Sequence, residues 1–123
     1  MLKLLGEDYK MKVLVLGGAG FIGLNIVKTL SDKADYQITI ADNLFRGKKD
    51  NILESLITRD NVELIIGDFT EPSTFERLDS DYDYVYMLAS VVGVKYTEEI
   101  PDELVRINTL LIMNTLEWLK NSK

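Results

Sequence analysis

The chain has 123 residues, no cysteine, no histidine and a formal net charge of −6 at pH 7. This length suits one domain with one core, and no apolar run approaches the roughly 20 residues that a membrane helix needs. The negative charge argues against nucleic acid as a partner, because phosphates require a basic surface. The missing residue types exclude disulfides, thiolate nucleophiles, thiolate metal sites and histidine acid–base catalysis within these residues.

Residues 1–10 precede the first strand-like run, and their apolar core is too short for a secretory signal. We therefore expect an N-terminal extension at 1–10, one domain at 11–123 and a cytosolic location.

Four apolar runs predict four strands. They are residues 11–16 (MKVLVL), 37–41 (QITIA), 62–66 (VELII) and 84–88 (YVYML). Near-continuous apolar runs are typical of strands that are covered on both faces of a parallel sheet.

Helical stretches separate the four runs. They are predicted at 21–30, 48–58, 72–78 and 101–120. Thr70 is a candidate N-cap of the third stretch, with Pro72 in its first turn. Alternating strands and helices predict an α/β fold, a Rossmann-like doubly wound parallel sheet of about four strands in the order 3-2-1-4.

A glycine-rich turn at 17–23 (GGAGFIG) joins the first strand to the first helix, and it fits both G-x-G-x-x-G and G-x-x-G-x-x-G. The first glycines permit a tight turn with positive φ, Gly20 gives a pyrophosphate access to the backbone, and Gly23 allows close packing of helix and strand. The N–H groups and dipole at the helix start favour phosphate. The alternative is that the segment is only a turn.

Asp42 ends the second strand, 19 residues after Gly23. The dinucleotide-binding fingerprint has an acid about 20 residues on, which accepts hydrogen bonds from the adenosine ribose. Because a carboxylate repels a 2′-phosphate, NAD is favoured over NADP, although Arg46 and Lys48 could accommodate that phosphate. The alternative is a turn residue at a strand end.

The third and fourth strands end in segments that would face the same site. In GDF at 67–69, Asp68 could accept a hydrogen bond from the adenine amino group and Phe69 could pack near the ring, or the segment is a Gly-Asp turn. In LAS at 88–90, small residues let a cofactor pass close to the backbone.

Asn108 shares one face of the last helix with a predicted buried stripe of Leu104, Ile107, Leu111 and Trp118. A buried amide needs hydrogen-bond partners. Asn108 therefore either ties the helix to neighbouring loop backbone or reaches towards the cofactor.

An acidic segment, DSDYD at 79–83, has the start of a calcium loop. Its sixth position is Tyr84 where that loop needs glycine, and its twelfth is Ser90 where the loop needs glutamate. We expect a solvated turn and no metal site.

Five segments, in the right order over about residues 11–120, carry a family resemblance. They are MKVLVLGGAGFIG, ADNLFRGKKDNI, GDFTEP, YVYMLASVVGV and INTLLIMNTLEWL. With them the chain resembles the N-terminal half of an extended short-chain dehydrogenase/reductase, within the NAD-dependent epimerase/dehydratase family (UDP-glucose 4-epimerase-like), which acts on nucleotide sugars.

The resemblance implies a cofactor site with a contribution from each strand end. The glycine-rich turn would hold the pyrophosphate, the segment after the second strand the adenosine ribose, the segment after the third strand adenine, and the fourth strand end with Asn108 the nicotinamide side. The implied positions are Gly17, Gly20, Phe21, Ile22, Gly23, Asp42, Asn43, Leu44, Phe45, Arg46, Gly47, Asp68, Phe69, Leu88, Ala89, Ser90 and Asn108.

The sequence departs from the family at two places. Many relatives have His-Leu-Ala-Ala at the fourth strand end, where this chain has Met-Leu-Ala-Ser at 87–90. Many relatives also have Gly-Thr shortly after the helix asparagine, where this chain has Leu-Ile at 111–112. Both departures bear on the subfamily.

In this family a Tyr-x-x-x-Lys pair moves the proton while hydride passes from the sugar to NAD. None of the six tyrosines here has lysine four residues on, and the chain ends before the expected fifth strand. We expect the NAD-binding portion of a nucleotide-sugar epimerase/dehydratase, with no catalytic residue of its own and an open fourth strand that favours self-association. The alternative is a non-catalytic NAD(P)-binding or redox-sensing module.

Overall fold

Parallel strands and helices alternate along the chain. The structure is a computed structural model that describes residues 9–45 and 51–122. The strands are β1 (Met11–Leu16), β2 (Tyr36–Asp42), β3 (Val62–Ile66) and β4 (Tyr84–Met87). The helices are α1 (Phe21–Ser31), α2 (Asn51–Ile57), α3 (Val94–Glu99) and α4 (Pro101–Lys120), and a 3-10 helix (Pro72–Arg77) lies between β3 and β4.

The sheet has the strand order β3-β2-β1-β4, and every pair in it is parallel. This confirms the predicted Rossmann-like order. Leu16 is in register with Ala41 on one side and with Met87 on the other. The carboxyl ends of β1, β2 and β4 therefore stop level with one another, which creates one edge at which their loops meet.

Alternate residues of β1 serve two separate halves of the core. Val13 and Val15 pack with Ile38 and Ile40 of β2 under α1 and α2. Leu14 and Leu16 face the other way, where the 3-10 helix and α4 cover them. The two-sided burial explains why β1 has a continuous apolar sequence.

The fourth strand is less covered than its apolar sequence predicts. Val85 and Met87 pack against the core beneath α4, whereas Tyr84 is 54% exposed and Tyr86 is 38% exposed on the opposite face. Within the described residues no element covers that face of β4. The expectation that all four strands are covered on both faces is wrong here.

The described connections differ from prediction at three points. The stretch predicted as a helix at 72–78 is a 3-10 helix, and its N-cap is Glu71 rather than Thr70. The hydroxyl of Thr70 instead donates to Asp68 Oδ1 at 2.6 Å. Helix α3, which follows β4, is not predicted by the sequence pattern because its six residues bury none of their side chains.

An acidic cluster lies at the amino end of the sheet. The ammonium group of Lys12 donates to Asp79 Oδ2 at 2.7 Å and to Asp81 Oδ1 at 2.5 Å. Asp83 accepts from the Lys12 N–H and from the Tyr9 hydroxyl. A lysine thus forms ion pairs with two of the three carboxylates in the segment that resembles the start of a calcium loop.

Among residues 9–45 and 51–122, no helix has both the length and the apolar sequence that a membrane-spanning helix requires.

Candidate dinucleotide-binding cleft

A cleft of about 700 Å³ opens at the carboxyl edge of the sheet. Its walls come from the glycine-rich turn, the segments after β2, β3 and β4, and one face of α4. Of the positions singled out in the sequence, those lining the cleft are Gly17, Gly20, Phe21, Ile22, Gly23, Asp42, Asn43, Phe45, Asp68, Phe69, Leu88, Ala89 and Ser90.

Two glycines of the turn are required by packing within the protein. Gly17 has φ +80°, and a Cβ there would lie 2.6 Å from the Ala89 nitrogen. A Cβ on Gly23 would lie 2.5 Å from the Gly18 Cα. These distances are shorter than any real contact, so the turn can approach β4 and α1 only without side chains.

Gly20 is different because it faces open space. A Cβ on this residue would meet only the Gly17 oxygen, at 3.5 Å. Gly20 is also the N-cap of α1, and no side chain caps the helix. A ligand can therefore approach the backbone at Gly20 without displacing protein atoms.

The start of α1 presents unpaired backbone donors beside Gly20. The first hydrogen bond of the helix runs from Leu24 N–H to the Gly20 oxygen at 2.9 Å. The N–H groups of Phe21, Ile22 and Gly23 precede it and have no acceptor among residues 9–45 and 51–122. The Phe21 and Ile22 side chains are 85% and 63% exposed at this point.

Asp42 joins the glycine-rich turn to the segment after β2. Its Oδ2 accepts from the Ala19 N–H at 3.0 Å, and its Oδ1 accepts from the Leu44 N–H at 2.7 Å. Each carboxylate oxygen has a second lone pair. Asp42 can therefore hold the turn and still accept hydrogen bonds from a ligand in the cleft.

The segment after β2 places its residues differently. Asn43 Oδ1 accepts from the Phe45 N–H at 2.9 Å, and the Phe45 ring packs against Tyr96 with centroids 5.8 Å apart. Leu44 has φ +59° and packs against the core below α1 rather than lining the cleft. Two further predicted positions, Arg46 and Gly47, lie outside the described residues.

The segment after β3 forms the wall beside β2. Asp68 is exposed, and its Oδ1 accepts from both the N–H (3.0 Å) and the hydroxyl of Thr70. Phe69 is only 4% exposed and stacks edge-to-face on Phe75. Asp68 is thus both a turn residue, as the alternative interpretation has it, and a polar group in the cleft.

Asn108 holds the loop after β4. Its Oδ1 accepts from the Val91 N–H at 2.7 Å, and its Nδ2 donates to the Val91 oxygen at 2.9 Å. This is the first of the two geometries that the sequence allows. Asn108 contributes to the cleft through the position of Val91, which does line it.

Sequence reasoning missed other contributors. Thr70, Val91, Val92, Ile107, Leu111 and Ile112 also line the cleft. Asn114 holds the segment after β3 by donating to the Phe69 and Thr70 oxygens. The sequence signal for Asn114 is a polar residue near the predicted buried face of α4, which is the same signal that identified Asn108.

The sequence of the chain is similar to sequences of known proteins. A family model, described as the NAD dependent epimerase/dehydratase family, matches residues 13–123. The chain belongs to this family. Its relatives in the family include UDP-glucuronic acid decarboxylase 5 of Arabidopsis thaliana, which is 35% identical over 110 residues, or 89% of this chain and 30% of that protein.

Similar solved structures have the same fold. The Bordetella bronchiseptica enzyme WbmF in complex with NAD+ superposes with a TM-score of 0.80 and 30% identity, covering 96% of this chain and 34% of that one. The UDP-glucuronic acid 4-epimerase from Bacillus cereus, in complex with UDP-glucuronic acid and NAD, has a TM-score of 0.78 and 26% identity, covering 92% and 37%. The chain thus spans about a third of the length of these similar proteins.

Proposed function

We propose that the chain binds NAD in the cleft, with the pyrophosphate against the start of α1. The observation that carries this proposal is the open space at Gly20 beside three unpaired backbone N–H groups. A helix start of this kind attracts phosphate oxygens. Membership of a family described as NAD dependent, and the NAD+ complex of the similar WbmF structure, support the same ligand.

The rest of the cofactor would extend to both sides of β1. Towards β2 and β3, Asp42 would accept hydrogen bonds from the adenosine ribose, while Asp68 and Phe69 would border adenine. Towards β4, residues 88–90 would border the nicotinamide, and Asn108 would hold the adjoining loop. The fit is supported by the fact that Asp42, Asp68, Phe69 and residues 88–90 come from separate segments and line one continuous cleft.

The preference for NAD over NADP would come from the charge of Asp42. Its carboxylate lines the cleft and already accepts two backbone hydrogen bonds. A 2′-phosphate on the ribose would bring a second negative group to the same place, whereas two free ribose hydroxyls can donate to it.

Calorimetric titration with NAD and NADP tests the assignment. Wild-type protein should bind NAD more tightly, and Asp42→Ala should lower NAD affinity about 10- to 100-fold, as expected for loss of hydrogen bonds to a charged group. The preference over NADP should shrink as well. Asp60→Ala removes an exposed aspartate away from the cleft and is the matched control. Tighter binding of NADP, or an Asp42→Ala variant that binds like wild type, would refute the ribose assignment.

For the whole protein we propose chemistry on a UDP-sugar. Bound NAD can take up a hydride and return it, which is the step that nucleotide-sugar epimerases, dehydratases and decarboxylases share. Similar proteins named as UDP-glucuronic acid decarboxylases, and a structural neighbour holding UDP-glucuronic acid, support this substrate class. The matched curated relatives are about three times longer, so the reaction type belongs to the whole protein.

Residues 1–123 would supply the cofactor site without the proton-transfer pair. None of their tyrosines is followed by lysine four residues on. Without an acid–base group a bound hydride acceptor gives negligible turnover. Because this feature would equally suit a non-catalytic NAD(P)-binding module, a reading frame that encodes Tyr-x-x-x-Lys beyond Lys123 would favour the enzyme.

We also propose that these residues self-associate through β4. This strand lies at one edge of the sheet, and both of its tyrosines are exposed on the uncovered face. An open apolar strand offers backbone hydrogen-bonding groups to another strand.

A further inference from the structure

One side-chain amide of α4 donates hydrogen bonds to the backbone of the loop that follows β3. We define the β3 loop as residues 67–71. Asn114 of α4 donates from Nδ2 to the Thr70 oxygen at 2.8 Å and to the Phe69 oxygen at 3.2 Å. No other donor among residues 9–45 and 51–122 reaches these two carbonyl groups.

The amide is itself held in place by the core. Leu111, which precedes Asn114 by three residues, packs with Leu14 and Leu16 of the central strand. Thr115, the next residue, is buried and donates to the Leu111 oxygen at 2.6 Å. Asn114 therefore links the β3 loop to a rigid part of α4.

A second asparagine on the same helix holds the opposite wall. Asn108 pairs with both backbone groups of Val91 after β4, whereas Asn114 pairs with the β3 loop. The two walls of the cleft are thus held by two amides on one helix, six residues apart.

We propose that Asn114 is a positioning residue for the adenine half of the cofactor. It fixes the β3 loop so that Asp68 and Phe69 have their binding positions before the ligand arrives, which spares the ligand the cost of ordering them. This inference rests on the proposed NAD function. Loss of Asn114 should weaken binding of the adenine half of the cofactor, and loss of Asn108 should weaken binding of the other half. A general loss of stability would not separate the two halves in this way.

Titration with AMP and NAD separates the two halves. In Asn114→Ala the affinities for AMP and NAD should fall together, by about fivefold to tenfold for two lost hydrogen bonds. In Asn108→Ala the affinity for NAD should fall more than that for AMP. Asn121→Ala removes a third asparagine, whose amide donates only within α4 (to the Glu117 oxygen), and should leave both affinities at the wild-type value.

Amide hydrogen exchange of the ligand-free protein provides a readout that does not depend on binding. Exchange at residues 69–71 should be faster in Asn114→Ala than in wild type or Asn121→Ala, while exchange in β1 stays unchanged. If Asn114→Ala proves too unstable to purify, Asn114→Ser is the second variant, since its shorter side chain cannot reach both carbonyl groups.

The possible failures are distinguishable. An Asn114→Ala variant with wild-type affinity for AMP and NAD would overturn the positioning role while leaving the proposed function intact. A fall in NAD affinity without a fall in AMP affinity would also overturn it. If the wild-type protein binds neither ligand, the proposed function and the adenine role both fall, and hydrogen exchange still reports whether Asn114 holds the loop.

Discussion

The glycines of the glycine-rich turn have different roles, although they are the same residue type. Adding a Cβ at Gly17, Gly18 or Gly23 would bring it within 2.9 Å of neighbouring protein atoms. Only Gly20 faces open cleft. Three of these glycines are therefore required by close packing within the protein, and one leaves room for a ligand.

Gly20→Ala tests this division of roles. The residue has φ −78° and ψ 174°, which alanine adopts freely. We expect the melting temperature to stay within about 3 °C of wild type, because only a small backbone entropy effect applies, while calorimetry shows at least about a tenfold loss of NAD affinity. The matched variant Gly23→Ala should instead cost about 1–3 kcal/mol of unfolding free energy through overpacking. Undiminished NAD binding by Gly20→Ala would argue against a pyrophosphate at this position.

At the scale of the secondary-structure elements, apolar runs and helical spacing were a good guide to β1, β3 and the long helix α4. The bounds of β1, β3 and α4 agree with the apolar runs and helical spacing in the sequence. In β1 the two core halves require an apolar residue at nearly every position, so the pattern is unambiguous.

An element with no buried surface could not be predicted in this way. Helix α3 buries no side chain and so leaves no periodic pattern. A helical stretch was predicted at 72–78, but its 3-10 type was not, since the element is short and buries only Phe75. Prediction of the site from sequence has a similar limit. Fingerprint residues such as Asp42 were predicted from their spacing, but Asn114 acts through loop carbonyl groups whose position depends on the folded chain.

The edge strand and α4 offer two alternative surfaces for self-association. Tyr86 lies on the uncovered face of β4, and Leu116, which is 52% exposed, lies on an apolar strip of α4 with Val105 and Ile112. If β4 pairs with a second copy, Tyr86→Lys should shift the protein towards monomer in sedimentation velocity at high concentration, because charge on an edge strand opposes pairing. Leu116→Lys should then have little effect. The reverse result would assign the contact to α4, and a monomeric wild type would refute self-association.

Across the whole molecule, charge is organised at the end of the sheet opposite the cleft. Burial lowers the pKa of Lys12, but its hydrogen bonds to Asp79 and Asp81 outweigh this, so the pKa is raised above 10.5. The hydrogen bond to Asp83 raises the pKa of Tyr9, and burial raises that of Tyr82. All three groups hold their protons more tightly in the folded protein than in the unfolded chain.

This arrangement predicts a loss of stability in alkali. A raised folded-state pKa stabilises the protein fully below the ordinary values of 10.0 for tyrosine and 10.5 for lysine, and the contribution disappears as the pH rises through the folded-state values. Lys12→Met should lower the unfolding free energy at pH 7 by about 1 kcal/mol, in keeping with partly exposed ion pairs, and should flatten the alkaline decline seen in urea titrations. Lys28→Met, on the exposed side of α1, should change neither. An equally steep decline in Lys12→Met would show that the tyrosines alone cause it.

The aromatic contacts of α4 give the protein a built-in optical reporter. Trp118 is its single tryptophan, and the indole ring lies 5.7 Å from Phe75 and 6.1 Å from Tyr82, one helical turn beyond Asn114. Its fluorescence should therefore report on the packing of α4 against the 3-10 helix. Trp118 is not among the residues that line the cleft. With no native thiol in the sequence, a dye on one introduced cysteine could report on a cleft wall while the indole reports on the helix behind it.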